Sequence, residues 1–280
     1  ATIAKMEAAL PVVVHADGEI AVFNDAAIED AVSPSRVGWH PPNLEYGKAI
    51  LPQTGYAQLR AAGTTVVFDA GVMGPDDVIG HGHADFLSVE ICWRGTRLVV
   101  DPGVGSISGG PKRQQTRSAL LHNGPSFEGL EPAEFFGAWR VGRRGRAGFF
   151  TPVHETECPP MSVSGWCDGY SRYTGGLVRR QVNLDSTGAI EIRDNWPSGP
   201  HIPRLNFLIP HEWNIKKLGD DTLVLTLGDQ QIVFSVTCAE SMTVSEASWY
   251  PSGPLKPERA HLVTIRVRGY SSTISIREMD

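Results

Sequence analysis

Four side chains in one part of the sequence have the types and the spacing of metal ligands. His81 and His83 are separated by a single glycine, and Asp101 and His122 follow along the chain. Neutral imidazole and carboxylate groups bind zinc, and two histidines with one carboxylate also bind non-haem iron. The plainer alternative is that these histidines cap turns in a glycine-rich loop. The combination of all four favours a metal site, and both metals stay open at this point.

A predicted β-hairpin would bring these side chains to one end of a sheet. Apolar and polar residues alternate along 87–93, which is typical of a strand with one buried face. A turn follows, and the next residues predict a returning strand. Pairing of Trp93 with Thr96 would place Asp101 opposite Ser88, at the end of the hairpin that carries the histidines.

The sequence around these residues resembles the C-terminal β domain of the heparinase II/III-like polysaccharide lyases. Three segments carry most of the resemblance, namely 80–88 (GHGHADFLS), 98–103 (LVVDPG) and 117–123 (RSALLHN). Weaker likeness extends upstream to Phe23-Asn24-Asp25 and downstream to Ile192-Arg193-Asp194-Asn195-Trp196. The resemblance thus covers nearly the whole chain.

The resemblance implies a role for each matching residue. In the family, zinc is bound by the second histidine of the His-x-His element, the aspartate of the Asp-Pro-Gly element and the histidine of the Arg-Ser element. Here these are His83, Asp101 and His122. The first histidine lies in the substrate cleft as an acid/base or charge-stabilising residue, and that role falls to His81. Zinc would then organise the site and would not activate water.

A cluster of arginines predicts an anionic ligand. The formal net charge is -6, yet Arg140, Arg143, Arg144 and Arg146 lie close to Trp139. Guanidinium groups bind carboxylate and sulfate in bidentate fashion, and aromatic faces pack against sugar rings. A charged edge strand is the alternative interpretation. The expected substrate contacts, which include two residues of the matching segments, are Arg117, Asn123, Trp139, Arg140 and Arg143.

The predicted fold is all-β, an antiparallel and jelly-roll-like β-sandwich with a short helical N-terminal arm. We assign residues 1–50 to the arm or linker, as a possible remnant of an α/α-toroid domain, and residues 51–280 to the sandwich. In the family, that toroid precedes the β domain and contributes a tyrosine that works as base and acid. We therefore expect a toroid domain as a partner, either in the same chain or in another.

Compartment and other partners are less strongly indicated. Cys158 and Cys167 can form a loop disulfide if the protein is exported. The resemblance suggests a bacterial periplasmic or secreted protein, although no signal peptide is visible. No run of apolar residues is long enough for a membrane span, and the acidic net charge argues against nucleic acid as a partner.

Three function classes follow from these observations. The leading one is the β-sandwich part of a zinc-containing lyase that cleaves uronic-acid-containing polysaccharides, such as glycosaminoglycans or alginate, by β-elimination. The second is a carbohydrate-binding or structural module without chemistry. The third is a cupin-like metal enzyme, which is disfavoured because the next glutamate after His83 is as distant as Glu90.

Overall fold

The protein is built mainly from antiparallel strands, with a few short helices. The structure is a computed structural model that describes residues 2–30, 32–39, 46–150 and 160–279. The α-helices are α1 (Thr2–Val13), α2 (Pro111–Arg117) and α3 (Ser171–Thr174). The 3-10 turns are Ile28–Asp30, Pro34–Val37 and Ile79–His81. No helix in the described part of the chain is long and apolar enough to cross a membrane.

The strands in the described part of the chain form four sheets. In chain order, the strands of the five-stranded sheet are β1 (Tyr46–Leu51), β2 (Tyr56–Ala61), β3 (Thr64–Asp69), β4 (Val89–Trp93) and β5 (Thr96–Val99). The four-stranded sheet has the order β17-β18-β13-β6 and contains β6 (Pro125–Phe127), β13 (Pro203–Pro210), β17 (Ala239–Trp249) and β18 (Glu258–Val267). The small sheet pairs β7 (Ala133–Phe136) with β8 (Arg140–Arg144).

The largest sheet has eight strands in the order β14-β15-β16-β19-β12-β11-β10-β9. They are β9 (Ala147–Phe149), β10 (Met161–Cys167), β11 (Val178–Leu184), β12 (Ile190–Asn195), β14 (Asn214–Lys217), β15 (Thr222–Leu227), β16 (Gln230–Val236) and β19 (Ser271–Glu278). Buried and partly exposed residues alternate along β10, as the period of two requires for a strand with one face in the core.

The sheets pack as a sandwich around a shared core. The five-stranded and four-stranded sheets join edge to edge, where the Val100 amide donates to the Leu208 carbonyl at 2.9 Å. The eight-stranded sheet supplies the opposite layer, and Phe234 packs edge-on against Phe207 with ring centroids 5.1 Å apart. Residues of all three sheets belong to one hydrophobic cluster. The predicted all-β antiparallel sandwich with a short N-terminal helix is confirmed.

The predicted hairpin is present, but its register differs from the expectation. Trp93 pairs with Thr96 as predicted, whereas Ile91 pairs with Val99 because a bulge follows Ile91. Because of the extra residue at the bulge, Ile91 pairs one position further along β5 than it would without it. The predicted position of Asp101 opposite Ser88 is therefore wrong, although Asp101 still lies at the end of the hairpin that leads back to the histidines.

The N-terminal arm is bound to the sandwich through a buried ionic network. Arg97, on β5, donates two hydrogen bonds to Asp17 and one to Glu90, and its side chain is only 7% exposed. His15 lies 3.0 Å from Glu90 and 2.9 Å from Thr65, with its own side chain fully buried. The arm is therefore part of the folded unit. The predicted division at residue 50 stays a prediction.

A second buried ion pair ties the eight-stranded sheet to the loops beside the predicted site. Arg180 on β11 donates to both oxygens of Asp194 on β12, and both side chains are fully buried. The same guanidinium donates to the backbone carbonyls of Leu87 and Asn123. Leu87 has a left-handed φ of 60°, so its carbonyl needs this fixed partner to hold a strained turn.

Neutralising Asp194 should therefore destabilise the whole fold. Asp194→Asn leaves Arg180 as an unpaired buried cation, which costs about 3–5 kcal/mol. We expect a correspondingly lower free energy of unfolding in urea. Glu278→Gln removes the carboxylate from an exposed pair with Arg94 and should cost about 1 kcal/mol or less. Equal losses in the two variants would contradict this account of the buried pair.

Candidate active site

The segment that carries His81 and His83 is a turn and not a strand. His81 is the last residue of a 3-10 turn, and Gly82 continues in extended conformation with φ -72° and ψ 144°. A Cβ atom on Gly82 would lie 2.0 Å from the Met73 carbonyl oxygen. Glycine is thus required between the two histidines because the backbone passes so close to its neighbour, and no left-handed φ is involved.

Asp25 of the N-terminal arm contacts both histidines. Its Oδ2 lies 3.0 Å from His81 Nδ1, and its Oδ1 lies 2.8 Å from His83 Nε2. Arg113 of α2 donates to both carboxylate oxygens and is fully buried. Burial by itself would raise the pKa of Asp25, but the hydrogen bonds from His83 and Arg113 outweigh it and lower that pKa to about 2. The carboxylate is therefore ionised at neutral pH.

The predicted metal ligands lie close together behind Asp25. The rings of His83 and His122 are 5.4 Å apart between centroids, and Asp101 Oδ2 lies 2.8 Å from His122 Nδ1. Burial lowers the pKa of His83 to about 3 and also lowers the pKa of His122, so both imidazoles are neutral. Burial raises the pKa of Asp101 well above its usual range, and nearby Glu90 adds to the effect.

Two imidazole nitrogens point into this buried space without a partner. His83 Nδ1 and His122 Nε2 make no hydrogen bond to any residue that the structure describes. A buried polar atom left in this way is costly, so such atoms usually mark a missing ligand, water or ion. Within the described ranges, however, no group of three histidine, cysteine, aspartate or glutamate side chains is already arranged to hold a metal ion.

His81 is the residue of this group that faces outward. Its side chain is 61% exposed, and its ring lies edge-on to Trp139 with centroids 5.0 Å apart. Trp139 and Arg140 line an open cleft of about 460 Å³ beside the small sheet, and Arg140 is exposed. An imidazole, an aromatic face and a guanidinium group thus share one surface, as an anionic sugar would require.

The other predicted substrate contacts lie elsewhere. Arg117 is fully buried and donates to the carbonyls of Gly82 and Ala138. Asn123 is fully buried as well, and its amide group bonds to backbone atoms of three different strands or strand ends, at Val89, Val100 and Leu208. The expectation that Arg117 and Asn123 contact substrate does not fit this burial, because both side chains hold the fold together from inside.

Arg143 is only partly available for an anionic ligand. Its Nε lies 3.6 Å from Glu134 Oε1 in a half-exposed ion pair. Arg144 pairs in the same way with Asp76. Arg140 is therefore the best placed of the predicted arginines. The predicted Cys158–Cys167 disulfide involves a residue outside the described ranges, and Cys167 itself is buried.

Sequence reasoning missed the residues that hold the histidines. Asn24 and Asp25 were noticed only as part of the resemblance, and Arg113 and Asp85 were given no role. The Asn24 side-chain oxygen accepts a hydrogen bond from the backbone amide of His83 at 2.8 Å, and the backbone amide of Asn24 donates to Asp85 Oδ2 at 3.0 Å. Burial raises the pKa of Asp85 to about 6. The sequence offers one signal for Asn24 and Asp25, because they are the two polar residues inside an otherwise apolar run from Ala21 to Ala27.

The family assignment follows from the comparison with known sequences. A family model described as heparinase II/III-like, C-terminal, matches residues 45–277. The chain belongs to the heparinase II/III-like family. The resemblance predicted from the sequence motifs is therefore confirmed. No curated protein matched the sequence.

Solved structures show the same fold. Heparinase III, the BT4657 gene product, superposes with a TM-score of 0.77 at 16% identity, over 99% of this chain and 46% of that chain. The heparan sulfate lyase HepC from Pedobacter heparinus has a TM-score of 0.74 at 13% identity, over 99% of this chain and 47% of that one. A further heparinase III has a TM-score of 0.74 at 13% identity, over 98% and 48%. The chain spans about half the length of the solved structures it matches.

Adding one methyl group at Gly82 should disturb the site. In Gly82→Ala the Cβ would overlap the Met73 carbonyl, so the backbone must move, and overpacking of this kind costs about 1–3 kcal/mol. We expect a lower unfolding midpoint in urea and shifted backbone amide signals of His81 and His83. Gly199→Ala is the matched control, because nothing lies within 4 Å of a Cβ there. Unchanged stability and spectra in Gly82→Ala would contradict the close approach.

Proposed function

We propose that this chain is the β-sandwich part of a lyase that cleaves uronic-acid-containing polysaccharides by β-elimination. The observation that carries the proposal is the exposed imidazole of His81, held by Asp25 against Trp139, which lines a cleft together with Arg140. Membership of the heparinase II/III-like family supports it. An α/α-toroid domain, in the same chain or in another, would supply the opposite wall of the cleft.

The reaction sets clear demands on the groups in the cleft. A base removes the C5 proton of the uronate, the electron pair forms the C4–C5 double bond, and the bond from C4 to the glycosidic oxygen breaks with protonation of that oxygen. Negative charge grows on the uronate carboxylate, so positioned cationic or hydrogen-bonding groups lower the barrier. In this proposal His81 serves proton transfer or charge stabilisation, Arg140 binds carboxylate or sulfate, and Trp139 supports a sugar ring.

The substrate that we propose first is a heparan-sulfate-like glycosaminoglycan. The names of the solved structures support this choice, since one is a heparan sulfate lyase and two are heparinase III. Alginate and other uronate polymers share the carboxylate and serve as comparison substrates. A polymer of this kind is met outside the cytoplasm, so we propose a periplasmic or secreted location in a bacterium.

We further propose that zinc binds between His83, Asp101 and His122. The donor chemistry fits, because both imidazoles are kept neutral and each has one buried nitrogen without a partner among the described residues. The proposal rests on these free nitrogens and not on a preformed cage. Asp101 lies at His122 Nδ1, so it would have to turn away from that nitrogen to bind the same ion as Nε2. When bound, zinc would supply a fixed positive charge that links the turn with His81 and His83 to Asp101, which follows β5.

A non-catalytic binding module is the second candidate. The observation that favours it is the exposed pair of Trp139 and Arg140 at the cleft, since an aromatic face and a guanidinium group are enough to bind an anionic sugar without an acid or base. A chain that binds uronate oligosaccharides without producing unsaturated ends, alone and as the complete gene product, would establish the binding module and exclude the lyase.

Lyase activity can be measured by the ultraviolet absorbance of the unsaturated uronate that β-elimination produces. We expect the complete gene product to act on heparan sulfate, and His81→Ala to lower kcat by about 10²–10⁴, the usual contribution of a positioned acid or base. His211→Ala is the control and should keep full activity, because this histidine follows β13, stacks on His261 and is not among the residues that line the cleft. Full activity of His81→Ala would remove His81 from the mechanism.

Metal content can be measured on the 280-residue chain itself. We expect elemental analysis to find about one zinc ion per chain, and chelation to lower the melting temperature because zinc would bind only the folded state. The combined variant His83→Ala, Asp101→Ala and His122→Ala should contain no zinc, whereas His81→Ala should retain it. Zinc that persists in the combined variant would place the metal elsewhere.

A further inference from the structure

One carboxylate serves both histidines of the His-x-His element. The two oxygens of Asp25 are divided between them, with Oδ2 facing His81 Nδ1 and Oδ1 facing His83 Nε2. The guanidinium group of Arg113 occupies the remaining side and donates to both oxygens. Asp25 comes from the N-terminal arm, so a segment far away in sequence sets the surroundings of both rings.

We propose that Asp25 is a positioning residue that fixes the tautomers of His81 and His83 in opposite senses. His81 carries its hydrogen on Nδ1, which leaves Nε2 free toward the cleft. His83 carries its hydrogen on Nε2, which leaves Nδ1 free toward the protein interior. The value of this arrangement for catalysis rests on the proposed lyase function, whereas the tautomers themselves do not.

The argument begins with the charge of the carboxylate. Arg113 is fully buried and always protonated, and its nearest anionic partner is Asp25, which therefore stays ionised. An ionised carboxylate has only acceptors, and a guanidinium group has only donors. Each ring nitrogen that donates to Asp25 carries a hydrogen. Arg113 Nη1 also lies 3.3 Å from His83 Nε2, but the contact of this nitrogen with the Asp25 carboxylate is shorter, at 2.8 Å, and a hydrogen bond to an ionised acceptor is the stronger one, which assigns the hydrogen to Nε2.

The free nitrogens then fall where the proposed chemistry needs them. His81 is 61% exposed and lies against Trp139, so the nitrogen opposite its Asp25 bond is open to solvent as a proton acceptor. His83 is fully buried, and its Nδ1 has no partner among the residues that the structure describes. A histidine that donates its second N–H to a carboxylate is also the usual arrangement around a bound metal. One aspartate thus prepares two neighbouring imidazoles for two different tasks.

The alternative is that Asp25 only anchors the arm. Asp17 offers a direct comparison, because it lies on the same arm and binds a nearly buried arginine, Arg97, through two hydrogen bonds. Asp17 touches neither His81 nor His83 in the described hydrogen bonds. Loss of either carboxylate weakens the attachment of the arm, but only loss of Asp25 should change the two rings.

The direct test is the tautomeric state of the two histidines, read from ¹⁵N NMR of the 280-residue chain. Spectra are recorded at about pH 9, well above the ordinary imidazole pKa of about 6.5. In the wild type we expect the Nδ1–H form of His81 and the Nε2–H form of His83. The opposite form of His81, or a mixture typical of free histidine, would overturn the proposal. This measurement needs no variant and does not depend on activity.

Asp25→Asn then tests the cause. Its amide oxygen is expected to stay on the buried side toward His83 and Arg113, so the amide nitrogen faces His81 and favours the Nε2–H form of that ring. Asp17→Asn should leave both tautomers unchanged. A change of His81 in both variants, or in neither, would contradict the role of Asp25.

Kinetics of the complete gene product separate positioning from folding. Asp25→Asn should lower kcat by about 10–100-fold with little change in KM, the usual loss when a residue behind a functional histidine is changed. Asp17→Asn should keep kcat within about 2-fold, and Asp25→Asn should cause no further loss in a His81→Ala background. Equal kcat losses for Asp25→Asn and Asp17→Asn would show that Asp25 acts only as an anchor. An inactive wild type would refute the lyase function and leave the NMR result to decide on Asp25.

Discussion

A buried guanidinium group must find acceptors for its N–H groups, and this constraint shapes the molecule. Arg117 finds backbone carbonyls, and three other arginines that are buried or nearly so find carboxylates. Removing one partner of such an ion pair costs about 3–5 kcal/mol, a large part of the total stability of a domain. The pairs are Arg97 with Asp17 and Glu90, Arg113 with Asp25, and Arg180 with Asp194.

These pairs explain how a β-sandwich comes to carry a site at one end. Arg97 binds Asp17 and so holds the N-terminal arm against the five-stranded sheet. Arg113 binds Asp25 of the same arm and places it next to the turn with His81 and His83. Arg113 and Arg117 both donate to the Ala138 carbonyl, which keeps Trp139 next to His81. The site therefore depends on the N-terminal arm, the turn with the two histidines and α2, and its outward face consists of the exposed side chains of His81, Trp139 and Arg140.

Local patterns in the sequence predicted much of the sandwich. The alternation of apolar and polar residues along 87–93 predicted a strand there and its return through the pairing of Trp93 with Thr96, because these features depend on neighbours in the chain. The bulge after Ile91 was not predicted, since it depends on how β4 and β5 meet other parts of the fold. Family membership was also within reach, because the motifs that carry it are contiguous.

The site was predicted only in part, for a physical reason. Histidines and arginines are visible in a sequence, but their burial is decided by contacts between distant segments. Arg117 and Arg140 are equal as residue types, yet one is enclosed by backbone carbonyls and the other is open to the cleft. Asp25 was overlooked for the same reason, because its partners lie 56 to 88 positions away along the chain.

The central claim is that the surface formed by His81 and Trp139 is where an anionic sugar chain binds. The most direct measurement is an NMR titration of the isotope-labelled 280-residue chain with a heparan sulfate oligosaccharide of defined length. The account predicts that the ring signals of His81 and the indole signal of Trp139 shift in a saturable manner, together with signals around Arg140. Saturable shifts confined to another surface, with His81 and Trp139 unchanged, would contradict it.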